Sequence, residues 1–192
     1  KAEFSVNTTM RQVQSKNIVA RLEGADPAHR DEHVIYTAHW DHLGVGKPDA
    51  RGDRIYNGAV DNADGVAALI ELGRAFARAP RTERTVMFLA VTAEEQGLLG
   101  SEYYAANPLY PLATTEAVLN MDALDVAGPA RDVSPSGDGK VSMQDDLIAT
   151  AAAHGRSISP DPKPEAGHFY RSDHFSFAKR GVPAISFKSG ED

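Results

Sequence analysis

Short apolar runs alternate with amphipathic stretches along this chain. Residues 85–91 (Thr-Val-Met-Phe-Leu-Ala-Val) are apolar at every position after the first. That is the pattern of a strand buried on both faces. Residues 17–22, 33–38, 117–121 and 183–187 read as further strands. Between them, residues 64–79 carry Val66, Leu69, Ile70, Gly73 and Ala77 on one helical face, and Pro80 ends the run. Shorter helices are predicted over 101–106 before Pro108, over 145–154 up to Gly155, and over 173–180 up to Gly181. Residues 24–31, with Pro27, read as a turn, and 44–58, rich in Gly, Asp and Arg, as a surface loop. Apolar strands alternating with helices predict a three-layer α/β sandwich with a mixed, mainly parallel central sheet. In such sheets, sites gather at the C-terminal ends of the strands.

The 192 residues have the length of one domain, enough to bury a substantial core. The lack of cysteine excludes disulfides, thiol catalysis and cysteine-ligated metals from this chain, and leaves its compartment open. A net charge of −7 repels a phosphate backbone and argues against a nucleic-acid partner. No apolar run approaches the ~20 residues of a membrane-spanning helix.

Four polar clusters fall at strand ends or strand-to-helix loops. His39-Trp40-Asp41-His42 closes the second strand. His39 and Asp41 are two apart and share a face on extended backbone. An imidazole can bind a metal through one nitrogen while a carboxylate accepts the proton of the other. Strand-end histidines satisfied by ordinary hydrogen bonds explain this cluster equally well. Asp61-Asn62-Ala63-Asp64-Gly65 precedes the long helix. A helix N-cap accounts for Asn62 or Asp64 but leaves Asp61 unexplained.

Glu94-Glu95-Gln96-Gly97 follows the most apolar strand. Adjacent carboxylates repel one another, and a nearby cation removes that penalty. Consecutive side chains point apart, so one can ligate a metal while the other handles protons. Asn120-Met121-Asp122 ends the next strand and adds a fourth acid. One His with three carboxylates suits Zn²⁺, with Mn²⁺ or Co²⁺ as substitutes.

Taken together these residues resemble the zinc aminopeptidase family that includes bacterial leucyl aminopeptidases, glutamate carboxypeptidase and glutaminyl cyclase. The segments that carry the resemblance are Ala38-His39-Trp40-Asp41, Asn57-Gly58-Ala59-Val60-Asp61-Asn62-Ala63-Asp64-Gly65 and Ala93-Glu94-Glu95-Gln96-Gly97-Leu98-Leu99-Gly100-Ser101. Asn120-Met121-Asp122 and Ser172-Asp173-His174, ahead of Gly181-Val182-Pro183-Ala184, complete it. The likeness runs from about Asn17 to the end, and it implies a zinc peptidase catalytic domain over 17–192 with 1–16 as the tail of a preceding segment.

The resemblance implies two zinc ions. His39 and Asp122 would bind one, Glu95 the other, and Asp61 would bridge them. Glu94 would be the general base and Asp41 would orient His39. The Asp61–Asn62 peptide would be cis. The implied activity is hydrolysis of peptides from the N-terminus, with a carboxypeptidase or cyclase on the same metal core as alternatives. A secreted or periplasmic location also follows from the family alone.

Five protein ligands are needed if each zinc has three and one is shared, and four can be placed. The family's fifth is a His in a His-Thr-like segment beyond the last strand, and none follows Phe187. The expectation is a chain truncated before that ligand, with His174 or His168 as the substitute otherwise. Tyr170, Asp173 and His174 are expected on the substrate side of the metals, with Tyr170 as an oxyanion donor. A metallo-β-lactamase-type site would need a His where Thr37 stands, and gives Asp61 and the Glu pair no role. A receptor-like module without metal is the non-enzymatic rival. A serine hydrolase is disfavoured by the absence of a Gly-x-Ser-x-Gly elbow.

Overall fold

The computed structural model describes residues 2–124, 128–136, 139–161 and 163–190. In chain order its elements are β1 (Ile18–Leu22), β2 (His33–His39), β3 (Gly44–Val45), β4 (Ile55–Tyr56), α1 (Ala63–Arg78), β5 (Thr85–Val91) and α2 (Leu99–Ala106). There follow β6 (Thr115–Met121), β7 (Asp132–Ser136), α3 (Met143–Ala153), β8 (Ser157–Ile158), α4 (His174–Ala178) and β9 (Ala184–Ser189). Seven strands form one sheet in the order β1-β5-β2-β6-β9-β7-β8, and β3 pairs with β4 in a separate hairpin. The four central strands β5, β2, β6 and β9 run parallel. β1 joins β5, and β7 joins β9, in antiparallel fashion. The sheet is therefore mixed and mainly parallel at its centre, as its apolar runs predict.

All seven residues of β5 are buried, because helices cover both faces of the sheet there. Met87, Leu89 and Val91 point into one layer with Ile35, Val118, Tyr104 of α2 and Phe177 of α4. Val86, Phe88 and Ala90 alternate into the other, against Leu69, Leu72 and Phe76 of α1. Burying a side chain such as Leu89 is worth about 1.5–3 kcal/mol. This two-sided packing fixes the parallel strands against one another, and so aligns their C-terminal ends.

One reading from the pattern needs correction, and one strand is not predicted. Ile70 and Ala77 do not lie on the inward face of α1, where Ile70 is 52% exposed. The inward stripe is Leu69, Leu72 and Phe76, at spacings of three and four. β7 is not legible as a strand, because its sequence is polar and contains Pro135. Proline is tolerated where no ladder partner is needed. β8 pairs only with Asp132 and Val133, which leaves Pro135 on the open side. Within the 44–58 loop, β3 and β4 form a hairpin of two residues each. Among the described residues, no helix is long and apolar enough to cross a membrane.

Candidate metal centre

β2, β5 and β6 deliver His39, Glu94-Glu95 and Asp122 to one edge of the sheet. His39 is the last residue of β2 and is fully buried. Its Nδ1 donates to the Asp41 carbonyl oxygen at 2.8 Å. That bond fixes the tautomer and leaves the Nε2 lone pair facing the carboxylates. Nε2 lies 3.0 Å from Asp61 Oδ1 and 3.2 Å from Asp122 Oδ1. Ligands held at ~2.0–2.1 Å around a tetrahedral zinc stand roughly 3.3 Å apart. The spacing of His39, Asp61 and Asp122 therefore fits one such ion.

Asp61 reaches this position because Asn62 does the capping. The Asn62 side chain accepts from Gly65 N at 3.1 Å and donates to the Met121 carbonyl at 2.9 Å. α1 is thereby tied to the end of β6. Gly65 must be glycine, since a Cβ there would stand 2.2 Å from Asn62 Oδ1 and 2.6 Å from the Met121 oxygen. The Asp61–Asn62 peptide is cis. Asp61, His42 and Glu95 also form a second group, with one ligand atom from each lying within 4.8 Å of the others. Asp61 belongs to both groups.

Asp122 is braced from behind. Ser172 Oγ donates to its Oδ2, and Asn120 Nδ2 donates to Ser172 Oγ at 2.7 Å. Burial disfavours the Asp122 charge, but His39 and Ser172 outweigh it and hold the carboxyl below its ordinary range. His39 shows the converse. Burial works against its charged form, yet the bonds to Asp122 and the Asp41 carbonyl raise its pKa to about 10. The Asp61 and Asp122 carboxylates face Nε2, where a metal cation would meet them.

The Glu94-Glu95 loop is closed on itself. Leu99 N donates to Ala93 O at 3.1 Å and Gly100 N to Thr92 O at 2.9 Å. Asn17 spans it, accepting from Thr92 N and donating to Gly100 O. Ala93 adopts a left-handed φ of 56°, and Ala123, next to Asp122, one of 51°. Such conformations are disfavoured for alanine by ~1–2 kcal/mol and persist where surrounding bonds over-determine them. At Ala93 those bonds come from Asp41, whose two carboxylate oxygens accept its N–H at 2.8 and 3.0 Å. Thr92 also donates to Asp41. Asp41 thus positions the Glu94 loop rather than accepting the His39 proton through its carboxylate. β2 ends at His39, so the backbone turns and presents the Asp41 carbonyl instead.

Glu94 has the most strongly displaced carboxyl of the loop. Burial, with Asp173 and Asp122 adding repulsion, pushes it up to about 8, against the pull of His39. Asp173 is fully buried beside the Ser101 hydroxyl, and burial raises it to about 7. His174 is also fully buried, joins neither ligand group, and is held neutral with its pKa down to about 4 by burial. Its ring meets Phe169 edge-on at 5.0 Å.

A cleft of about 400 Å³ opens beside Asp122, lined also by Ser172, Ser186, His168, Lys163, Arg171 and Lys188. Tyr170 does not line it. It is 56% exposed and borders a neighbouring cavity of about 310 Å³. His168 stands on the cleft rim but in neither ligand group. Asn62, Ser172, Asn120 and His42 are site residues that the sequence alone does not assign as such. Of these, Asn62 carries the helix-cap signal ahead of α1, and His42, three positions from His39, a ligand signal.

Known proteins are similar to this chain in sequence and in fold. The model for Peptidase family M28 matches residues 17–192. A probable zinc metalloprotease of Pyrenophora tritici-repentis is 35% identical over 119 residues, covering 62% of this chain and 25% of that protein. The aminopeptidase from Aneurinibacillus sp. strain AM-1 has a similar structure, with a TM-score of 0.68 at 28% identity, covering 91% of this chain and 39% of that one. The glutaminyl cyclase of Porphyromonas gingivalis has a TM-score of 0.66 at 19% identity, covering 92% and 62%, a likeness of fold alone. The chain spans about a quarter of the length of the curated relatives it matches.

Proposed function

The chain belongs to peptidase family M28, and on that premise we propose that it is a two-zinc aminopeptidase, removing residues from the N-termini of peptides. The observation that carries this reading is Asp61, whose carboxylate is shared by two ligand groups. His39, Asp61 and Asp122 would hold one zinc, and Asp61 with Glu95 would hold the other. Zinc supplies Lewis acidity, polarising a carbonyl oxygen and making water acidic near neutral pH.

Glu94 is the general base. Its carboxyl can accept a proton from the attacking water and return it to the leaving amine. Asp41 holds the loop that carries Glu94. Ser172 fixes the face that Asp122 turns toward His39. Asp61, Glu95 and Asp122 would balance the charge of the zincs, which leaves the choice of an N-terminal substrate to the comparisons. The aminopeptidase among the structural neighbours supports the same choice.

One observation favours a second reading. Lys163, Arg171 and Lys188 line the cleft beside Asp122, and they suit a substrate carboxylate, as in a carboxypeptidase. The test compares one peptide with free ends, with its N-terminus acetylated, and with its C-terminus amidated, using zinc-loaded protein. Loss of cleavage on acetylation alone supports the aminopeptidase. Loss on amidation alone supports the carboxypeptidase. Conversion of an N-terminal Gln peptide to pyroglutamate supports a cyclase. Zinc binding with no turnover of any substrate contradicts all three.

A further inference from the structure

We propose that the cleft beside Asp122 selects an acidic side chain, so that the residue removed from the N-terminus is glutamate or aspartate. The inference rests on the aminopeptidase reading above and adds the class of residue it takes.

The cleft adjoins the metal centre directly. Asp122 and Ser172 form part of its wall, and the Ser172 hydroxyl donates to Asp122. In an aminopeptidase the reacting carbonyl belongs to the N-terminal residue, whose side chain is the nearest variable part of the substrate. A space of about 400 Å³ bounded by Asp122 is placed to receive that side chain. The C-terminal carboxylate of the substrate stands at a distance that varies with peptide length, and a fixed cleft cannot follow it.

Strand geometry sets what lines the cleft. β7 and β9 pair antiparallel, with Ser134 opposite Lys188 and Ser136 opposite Ser186. Side chains alternate along a strand, so Ser186 and Lys188 face the cleft while Phe187 between them packs into the layer of α1. Lys163 and Arg171 bring two further cations. All three cations are exposed, and among the described residues none of them forms an ion pair. Against them the lining sets Asp161, whose Oδ1 accepts from the Lys163 amide at 2.8 Å, and Asp122, which is turned to His39. Among the described residues Ala123 and Pro135 are its only apolar side chains. A leucine side chain would displace water from hydroxyls and charges without replacing their hydrogen bonds. A lysine would add a fourth cation. A carboxylate meets unpaired donors of opposite charge.

The test uses zinc-loaded protein and the p-nitroanilides of Glu, Gln, Leu and Lys, which have a free N-terminus and no C-terminal carboxylate. The Glu substrate is expected to show a kcat/KM about tenfold above that of Gln, which has the same shape without the charge. That advantage should shrink as salt rises, and Lys188→Glu combined with Arg171→Glu should turn the preference toward Lys. If the double variant does not fold, the Glu–Gln comparison and its salt dependence in the unaltered protein decide. Calorimetric binding of free glutamate, glutamine and leucine reads the same selectivity without turnover. Leu or Lys cleaved as well as Glu, or Glu and Gln cleaved alike, overturns the inference and leaves the aminopeptidase standing. Cleavage only of peptides with a free C-terminus overturns the aminopeptidase reading and this inference with it. With no turnover of any substrate, glutamate bound about tenfold more tightly than glutamine upholds the selectivity of the cleft, and equal binding overturns it.

Discussion

The carboxylate of Asp41 accepts the Ala93 amide proton through both of its oxygens, at 2.8 and 3.0 Å. This contact joins the end of β2 to the loop that carries Glu94 and Glu95, and pins Ala93 in its left-handed conformation. Replacing Asp41 with Ala leaves that N–H unpaired and releases the loop. Stability should fall by about 1–3 kcal/mol, and kcat should fall more than zinc affinity. Chemical denaturation with zinc titration checks both. An Asp41→Ala protein with unchanged kcat would remove Asp41 from the positioning role.

Glu94→Gln keeps the shape of the side chain and removes its basicity. Turnover should drop by about 10²–10⁴-fold while zinc stoichiometry stays at the unaltered level. Paired kinetic and elemental measurements separate the two effects. Loss of zinc in parallel with activity would make Glu94 a ligand rather than the base.

The zinc-free form should lose stability as pH rises from 6.5 to 8. Glu94 titrates ordinarily at 4.5 but at about 8 in the fold, so over that interval the folded form holds a proton the unfolded form has released. His39, raised from 6.5 to about 10, adds a contribution that is full below 6.5 and is lost through about 10. Asp173, raised from 3.8 to about 7, acts in the same direction up to that pH. His174, lowered to about 4, opposes them only between about 4 and 6.5. Melting temperature against pH should fall through this window, less steeply in Glu94→Gln. A rising curve there would contradict these protonation states of Glu94 and His39.

Ser172→Ala removes the hydroxyl that donates to Asp122. Groups that orient a ligand typically contribute 10–100-fold to metal affinity. Zinc titration should show a weakening of that order, with unchanged stoichiometry at saturation. Unchanged affinity would mean that His39 and Asp61 alone set the geometry of Asp122.

Part of this arrangement is legible in the sequence, and the rest is hidden for identifiable reasons. β5 and β2 stand out because strands covered on both faces need continuous apolar residues. The acids at their ends stand out because carboxylates beside such strands are costly without a cation. The inward face of α1 is ambiguous because Ile70 is as apolar as Leu72, and only packing against the sheet distinguishes them. The partner of His39 Nδ1 differs from expectation because the two-residue periodicity holds only while β2 continues. His42 meets Glu95 and Asp61 only through the return of the Gly58 loop, a relationship that spacing along the chain does not encode. Tyr170, placed beside the metals by resemblance, borders a separate cavity.

The central claim is that one carboxylate, Asp61, joins two zinc sites. Anomalous scattering at the zinc edge, from crystals of zinc-loaded protein, tests it most directly. Two peaks are expected to flank the Asp61 carboxylate, one against His39 and Asp122 and the other against Glu95. Peaks elsewhere, or zinc bound without contact to Asp61, would contradict it.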